Sequence, residues 1–304
     1  MNPTVSIGLP VAQEPINYIR DAIRSVRNQS ITDWELIVVA DGSPDATRDY
    51  LNALRDPRIR VFLHRRSLGL AARLNEIADL AHGEFLARMD ADDIMHPTRL
   101  ARQITVLRDN PGVDVVSSRA VVIDEDKAVL GITRSVSPTV EQASMLASTP
   151  FIHPTVMART AWWHLHRYDV RLLRSQDKAL WIVAANDSSF LREDDVTLFY
   201  RVARTLNPAK YARSARFERE IIRRFGPGIV GHPRTLRAIG SSLTKQIVIA
   251  LASKLGYAEI VMSHRFSSLN DTERRDYALM LECALAARDH DSPNLPGLHT
   301  NRSA

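Results

Sequence analysis

Short β-branched runs alternate with helical patterns over residues 1–120, and this alternation constrains the fold more than any other feature. Trp34–Ala40 is a nearly continuous apolar run, which is typical of a strand buried on both faces of a sheet. The other strand-like runs in this part are Val5–Leu9, Ile59–Leu63 and Glu84–Met89. Repeated βαβ units of this kind predict an α/β fold with a mostly parallel sheet.

After Gly112 the pattern changes to short strand-like runs that are separated by polar turns. These runs predict an antiparallel extension of the parallel sheet. A further change comes near Asn207-Pro208, beyond which helical patterns replace the strands, and we place a domain boundary there. Residues 1–207 are thus predicted to form the α/β domain.

Residues 208–288 are predicted to form a basic helical region that is interrupted at Gly226-Pro227-Gly228. The stretch 197–245 contains eleven Lys or Arg residues against two Glu, although the net charge of the whole chain is only +5. Residues 289–304 are polar and contain prolines, and we expect them to form a disordered tail.

The composition also bears on the compartment. The single cysteine, Cys283, excludes an internal disulfide and a metal site built from several cysteines, which favours a reducing compartment. The N-terminus lacks the features of a secretory signal, and no segment reaches the roughly 18 apolar residues of a membrane span. We therefore expect a cytoplasmic protein that is either free or loosely attached to a surface.

Three loops that follow predicted strands carry polar side chains, at residues 10–14, 41–43 and 90–93. Ligands of open α/β sheets bind at the carboxyl ends of the strands, so these loops predict a single cleft.

The loop Asp90-Ala91-Asp92-Asp93 is the most informative of them, because it places three carboxylates within four residues. Such charges repel one another unless a cation or another strong positive charge lies among them. The expected cation is Mg²⁺ or Mn²⁺, since these hard ions bind carboxylates and complete their shell with phosphate oxygens and water. The alternative is an ordinary acidic turn that caps the helix beginning at Pro97.

Four segments carry a further signal when they are taken together: Val5–Val11, Glu35–Ser43, Gly83–Asp93 and Phe151–Met157. In this order and spacing they resemble the family 2 glycosyltransferases of the GT-A fold, whose DxD motif matches the end of the third segment. The His-Pro pair of the fourth resembles a stretch in the polysaccharide-building members. The likeness covers about residues 4–190.

The resemblance implies a nucleotide-sugar donor, with UDP as the expected nucleotide. Pro10 and Glu14 would line the nucleoside pocket, and Asp41 would face the base. Arg66 or Arg73 would lie near the base or the phosphates. Two alternatives stay open: Asp41 is only a turn residue, and Arg73 is a solvated residue of a helix.

The resemblance also implies that part of the site binds a metal ion. Asp90 would approach the ribose or the sugar, and Asp92 would ligate Mg²⁺ or Mn²⁺ with Asp93 nearby. His153 would lie near the metal or the acceptor, and we include it with the metal residues. Its alternative is a buried polar contact.

A general base is needed because an acceptor hydroxyl is a poor nucleophile until its proton is removed. In the family this base is the Asp of a Glu-Asp pair before an apolar helix, and the matching residue here is Asp177. Two departures put the acceptor contacts in doubt, since Gln176 replaces the Glu and Ala179 replaces a frequently acidic residue. The alternative is that Asp177 is only the N-cap of the following helix. A further departure is Ala40, where many relatives carry an Asp.

The basic region contains an amphipathic pattern in which arginines recur at helical spacing beside apolar residues, from Arg213 to Phe225. Such a helix would either lie on an anionic bilayer or pack, solvated, on the catalytic domain. Nucleic acid is a poorer fit because no aromatic residues are interleaved as in a stacking platform.

Together with the resemblance, these observations predict an inverting glycosyltransferase. It would move a sugar from a nucleotide-sugar donor to a glycan or lipid-linked acceptor in surface polysaccharide synthesis, in the cytoplasm or at the inner face of the membrane. Two rival functions stay open. A sugar-1-phosphate nucleotidyltransferase would use a similar sheet and metal, but it should carry a Gly-rich loop near the N-terminus. A non-catalytic sugar-nucleotide-binding protein would fit the altered surroundings of Asp177.

Overall fold

The computed structural model describes residues 2–135, 137–203, 207–255, 257 and 266–287, and the strands in these ranges form one ten-stranded sheet. The strands are β1 (Val5–Val11), β2 (Trp34–Asp41), β3 (Ile59–His64), β4 (Phe85–Arg88), β5 (Ile94–Met95), β6 (Val115–Ile123), β7 (Val129–Thr133), β8 (Met157–Arg159), β9 (Phe190–Arg201) and β10 (Phe266–Ser267). The helices are α1 (Ile16–Arg27), α2 (Asp45–Asn52), α3 (Leu70–Leu80), α4 (Arg99–Asp109), α5 (Gln142–Ala147), α6 (Thr160–Leu165), α7 (Gln176–Ala184), α8 (Pro208–Lys254) and α9 (Asp271–Leu285). A 3₁₀ turn spans His153–Thr155.

The sheet has the strand order β10-β7-β6-β8-β4-β1-β2-β3, and β9 pairs with both β5 and β6. Strands β3, β2, β1 and β4 are parallel to one another. Antiparallel pairs then join β4 to β8, β8 to β6, β6 to β7 and β7 to β10. The predicted α/β fold, a mostly parallel sheet with an antiparallel extension and C-terminal helices, is confirmed.

The parallel strands bring three loops to one edge of the sheet. Val11 pairs with Ala40 across β1 and β2, and Gly8 pairs with Arg88 across β1 and β4. The chain therefore leaves β1, β2 and β4 on the same side, which is where ligands of such sheets bind.

Strand β2 shows why the apolar run Trp34–Ala40 predicts a central strand. Side chains alternate between the two faces of a strand. Leu36 and Val38 pack on one face with residues of α1, including Ile19 and Ile23. Ile37 and Val39 pack on the other face with residues of α3, including Leu74 and Ile77. Both faces are covered, so the strand is apolar nearly throughout.

Helix α8 is bent back on itself. Gly231 has a φ of 78°, which is left-handed backbone that favours glycine, and it separates two helical halves. The predicted interruption at Gly226-Pro227-Gly228 is wrong by a few residues, because the helix continues through this segment. In the first half Ile221 and Ile222 are buried, and Ile221 joins the hydrophobic core that contains residues of α3 and α7.

The predicted boundary at Asn207-Pro208 coincides with the start of α8, where the Asn207 side chain accepts a hydrogen bond from the Lys210 N–H. The division into domains stays a prediction. The predicted tail 289–304 lies outside the described residues. Within the described ranges we find no helix whose length and apolar character would let it cross a bilayer.

Gly226 permits the close approach of the two halves of α8. A Cβ added there would lie 2.6 Å from the Oγ1 of Thr235, a β-branched side chain that cannot swing away freely. We expect Gly226→Ala to lower the free energy of unfolding by about 1–3 kcal/mol through this overlap. Gly228→Ala is the matched control, since a Cβ there meets nothing within 4 Å. It should instead stabilise the helix by about 0.5–1 kcal/mol. Urea unfolding of both variants tests this, and equal shifts would contradict the close approach.

Candidate active site

The acidic loop lies between β4 and β5, at the carboxyl edge of the sheet. Asp90, Asp92 and Asp93 each present one carboxylate oxygen, and these oxygens all lie within 4.8 Å of one another. Asp93 is fully buried, whereas Asp90 and Asp92 are partly exposed. The loop thus gathers its three charges around one point instead of dispersing them.

Arginines offset only part of this negative charge. Arg88, which is buried, forms an ion pair with Asp90. Asp93 accepts a hydrogen bond at Oδ1 from the backbone N–H of Arg201, at 2.8 Å, but its Oδ2 is buried without a hydrogen-bond partner. An unsatisfied buried carboxylate oxygen is costly, so the arrangement calls for a further positive group.

The pKa values of Asp92 and Asp93 reflect the same lack of positive charge. Burial, reinforced by the neighbouring charge of Asp90, raises the pKa of Asp92 to about 6. Burial, together with the charges of Asp92 and Asp90, raises the pKa of Asp93 well above its usual range. A divalent cation would reverse both shifts because it favours the ionised carboxylates.

The residues fit such a cation. All three donors are hard carboxylate oxygens, and one of them is buried without a partner. This donor set suits Mg²⁺ or Mn²⁺ rather than a soft metal. The alternative is that the loop serves only as a helix cap. It explains neither the clustering of the three carboxylates nor the buried Asp93 oxygen that lacks a hydrogen-bond partner.

Arg201, at the end of β9, holds the acidic loop in place. Besides the backbone contact to Asp93, its Nε donates to the carbonyl oxygen of Asp92 at 2.8 Å. Its guanidinium lies 4.1 Å from the centre of the Tyr18 ring. Sequence reasoning missed this residue, because it is more than a hundred positions from the loop and the pairing of β9 with β5 and β6 brings it there.

A pocket of about 380 Å³ opens beside the acidic loop. Asp90, His153 and Asp177 all line it, although they come from three separate segments of the chain. Phe151 and Tyr200 are among its other lining residues. The fold therefore brings the predicted base and the acidic loop to one cavity of a size suited to a small acceptor.

Asp177 lies in the first turn of α7, and Ser175 is the N-cap residue. The N-cap alternative for Asp177 is therefore wrong by two positions. Ser175 has a φ of 55°, an unusual left-handed conformation for a residue other than glycine, directly before the segment that carries Asp177. Burial raises the pKa of Asp177, while the backbone N–H of Lys178 and the charge of Arg88 act in the opposite direction.

His153 lies in the 3₁₀ turn and is buried. Its Nε2 is 2.7 Å from the hydroxyl of Tyr168. Burial and the nearby Arg88 hold the pKa of His153 well below its usual value, so the ring is neutral. His153 is not part of the three-carboxylate cluster, and its place is the wall of the pocket.

The first two polar loops are tied together at the sheet edge. The Gln13 side chain donates to the carbonyl oxygen of Gly42 at 3.0 Å, and Ser43 Oγ donates to that of Val11 at 3.0 Å. Pro10 is buried at the end of β1. Glu14 accepts a hydrogen bond from the N–H of Ala12 at 2.6 Å.

Glu14 also lies close enough to Asp92 for its charge to raise the pKa of that residue. The predicted nucleoside loop and the acidic loop are thus neighbours in the fold.

The Asp41 carboxylate accepts all of its hydrogen bonds from within the protein. Its carboxylate accepts hydrogen bonds from Ser67 Oγ, from the N–H groups of Leu68 and Gly69, and from Arg73 Nε, all between 2.7 and 2.9 Å. A carboxylate has about four acceptor positions, so these four donors fill it. The predicted contact of Asp41 with the base would require one of them to leave.

Arg73 is neither solvated nor free. It is buried, and it also donates to Glu76 and to the carbonyl oxygen of Arg66. Together with Asp41 it fixes the loop that carries Arg66. The side chain of Arg66 is exposed on this loop and remains available to a ligand.

Solved structures identify the fold. TarS of S. aureus, residues 1–349 in complex with UDP, superposes with a TM-score of 0.58 at 16% identity, covering 93% of this chain and 80% of that chain. The mannosyltransferase PcManGT of Pyrobaculum calidifontis, in complex with GDP-Man and Mn²⁺, gives 0.56 at 18% identity, covering 94% and 86%. The fold is therefore that of the GT-A glycosyltransferases, as the sequence predicted.

Sequence comparison gives the family. The model described as glycosyl transferase family 2 matches residues 6–164. An uncharacterized glycosyltransferase of Methanocaldococcus jannaschii is 30% identical over 211 residues, which cover 66% of this chain and 71% of that protein. The chain belongs to glycosyl transferase family 2 and is a glycosyltransferase. This membership decides against the nucleotidyltransferase and against the non-catalytic binding protein.

Proposed function

We propose that the protein transfers a sugar from a nucleotide-sugar donor to an acceptor hydroxyl, by a single displacement that inverts the anomeric carbon. One observation carries the proposal: Asp90 of the three-carboxylate cluster and Asp177 line the same pocket. One end of this site suits a cation-bound diphosphate, and the other suits a nucleophile that must lose a proton.

Asp92 and Asp93 would hold Mg²⁺ or Mn²⁺, with Asp90 at the pocket side of the cluster. When bound, such an ion offsets the negative charge that develops on the departing nucleoside diphosphate. The complex of PcManGT with GDP-Man and Mn²⁺ supports this assignment, since that protein shares the fold.

Asp177 is the proposed base. Its carboxylate would take the proton of the acceptor hydroxyl as this attacks the anomeric carbon. The raised pKa makes the carboxylate a stronger base than an exposed Asp, and its position in the first turn of α7 places it at the pocket. His153, which is neutral and hydrogen-bonded to Tyr168, would orient the acceptor from the wall of the pocket.

The nucleoside would lie against the loops that contain Pro10 and Glu14, with Arg66 near the base or the phosphates. Asp41 and Arg73 would act by shaping the loop at residues 66–69 rather than by direct contact. TarS has been solved with UDP and with UDP-GlcNAc, which supports UDP as the nucleotide, whereas PcManGT was solved with GDP-Man.

The proposed acceptor is a glycan or a lipid-linked saccharide in surface polysaccharide synthesis. This part of the proposal comes from the His-Pro stretch around His153, and it places the enzyme in the cytoplasm or at the inner face of the membrane.

Turnover of a panel of nucleotide sugars tests the proposal. We expect the wild-type chain to hydrolyse or transfer from donors of one nucleotide, with UDP-sugars the first choice, in the presence of Mn²⁺ or Mg²⁺. Chelation of the metal should abolish this activity. Turnover that is unaffected by chelator, or no turnover with any donor and metal, would contradict it.

A further inference from the structure

The second half of α8, residues 232–254, packs on the protein through its polar side. Arg219 of the first half donates to Gln246 Oε1 at 2.9 Å and lies 3.5 Å from Ser242 Oγ. Thr235 is buried against Gly226. Thr235, Ser242 and Gln246 are seven and four positions apart, so they lie on one face of the helix. That face points inward, the reverse of an ordinary surface helix.

The apolar side of the same segment points outward. Large apolar residues recur at spacings of seven or four positions, and their side chains are exposed: 69% for Leu236, 45% for Leu243, 60% for Ile247 and 54% for Leu251. Val248 of this segment and Leu255, which directly follows it, are also exposed, at 53% and 68%. We call these six residues the outer apolar stripe. A contiguous stripe of this kind on a surface marks an interaction site.

The charge around the outer apolar stripe has one sign. Residues 221–257 contain no Asp or Glu, and they contain six basic residues: Arg223, Arg224, Arg234, Arg237, Lys245 and Lys254. The last four belong to the second half of α8, and all four are exposed. Apolar residues flanked by cations suit a partner that has an apolar interior beneath an anionic outer layer.

We propose that the outer apolar stripe inserts into the surface of an anionic lipid bilayer. Each basic residue near such a surface adds about 1 kcal/mol of attraction, and the apolar side chains add the free energy of leaving water. A second copy of this helix fits less well, because two such segments would bring eight like charges together without a compensating anion.

The site differs from the one expected from the sequence. The pattern from Arg213 to Phe225 predicted a membrane contact or a packed helix, and the structure buries its apolar residues Ile221 and Ile222 in the protein. The membrane contact is therefore assigned to the second half of α8. The inference does not depend on the proposed sugar transfer, although it would bring the enzyme close to a lipid-linked acceptor.

Vesicle flotation of the full chain tests the proposal. The wild type should float with vesicles of phosphatidylcholine mixed with phosphatidylglycerol, and not with phosphatidylcholine alone. Raised salt should weaken the binding, since screening acts on the cationic part. The double substitution Ile247→Asp and Leu251→Asp should lower vesicle binding by about tenfold or more, while thermal unfolding and donor hydrolysis stay unchanged.

Leu165→Asp is the matched control, because Leu165 is a leucine exposed at 80% on helix α6 and is not part of the outer apolar stripe. It should leave flotation unaltered. Binding that survives the double substitution, or that Leu165→Asp weakens equally, would overturn the proposal. So would a dimer in solution, seen by light scattering without vesicles, that the double substitution converts to a monomer.

Discussion

Replacing Asp92 with Asn is expected to lower kcat by about 100-fold or more, because the bound cation contributes several kcal/mol of charge stabilisation and each 1.36 kcal/mol is tenfold. The same change should stabilise the metal-free protein. The pKa of Asp92 is raised to about 6 from an ordinary value of 3.8. Such a carboxyl group costs no stability below the pKa of the unfolded state, where it is protonated in both states. The cost grows as the pH rises from there through about 6.

At neutral pH the ionised Asp92 therefore costs the metal-free protein about 1–3 kcal/mol, and Asn removes that cost. We expect a higher melting temperature for Asp92→Asn in chelator, and a loss of the stabilisation by Mn²⁺ that the wild type shows. Asp126→Asn, at an exposed turn between β6 and β7, is the matched control. An Asp92→Asn enzyme that retains full activity would remove Asp92 from the metal site.

Replacing Asp177 with Asn should lower the rate of transfer by about 10²–10⁴-fold, the usual contribution of a general base. Binding of nucleotide and metal should stay at the wild-type level, because Asp177 lies on the acceptor side of the pocket. In the wild type the rate should fall as the pH drops through the pKa of Asp177. Since burial raises that pKa, the fall should begin at a higher pH than for an ordinary Asp.

The pH profile separates a base from a structural residue. Asp177→Asn should lose the acidic limb that the wild type shows, because Asn does not titrate. Asp187→Asn, an exposed Asp in the turn after α7, should keep both the rate and the limb. A variant at Asp177 that is slow but retains the same acidic limb would indicate that another group is the base.

The sequence predicts the features that depend on local patterns. The apolar run of β2 gives a strand that is covered on both faces, because its periodicity reports burial directly. The loops after β1, β2 and β4 were predicted to share an edge, since parallel strands place their carboxyl ends together. The acidic loop was recognisable as a charge cluster because its three Asp residues lie within four positions of the sequence.

The features it missed depend on contacts between distant residues. Arg201 holds the acidic loop from the far end of β9, and no local signal marks one arginine among many. The hydrogen bonds that Asp41 and Arg73 make with one another and with the loop at residues 66–69 were not predicted, and their contact with the donor stays a prediction. The fold-back of α8 was not predicted either. It depends on the left-handed backbone of Gly231 and on the fit of Gly226 against Thr235.

In the proposed site the acidic loop binds the donor diphosphate through a divalent cation. Calorimetric titration of UDP into the protein, with Mn²⁺ and with chelator, tests it most directly. We predict binding with Mn²⁺ that is abolished in chelator and is also lost in the Asp92→Asn variant. Binding of equal strength in chelator would contradict the claim, because the diphosphate would then be held without the ion.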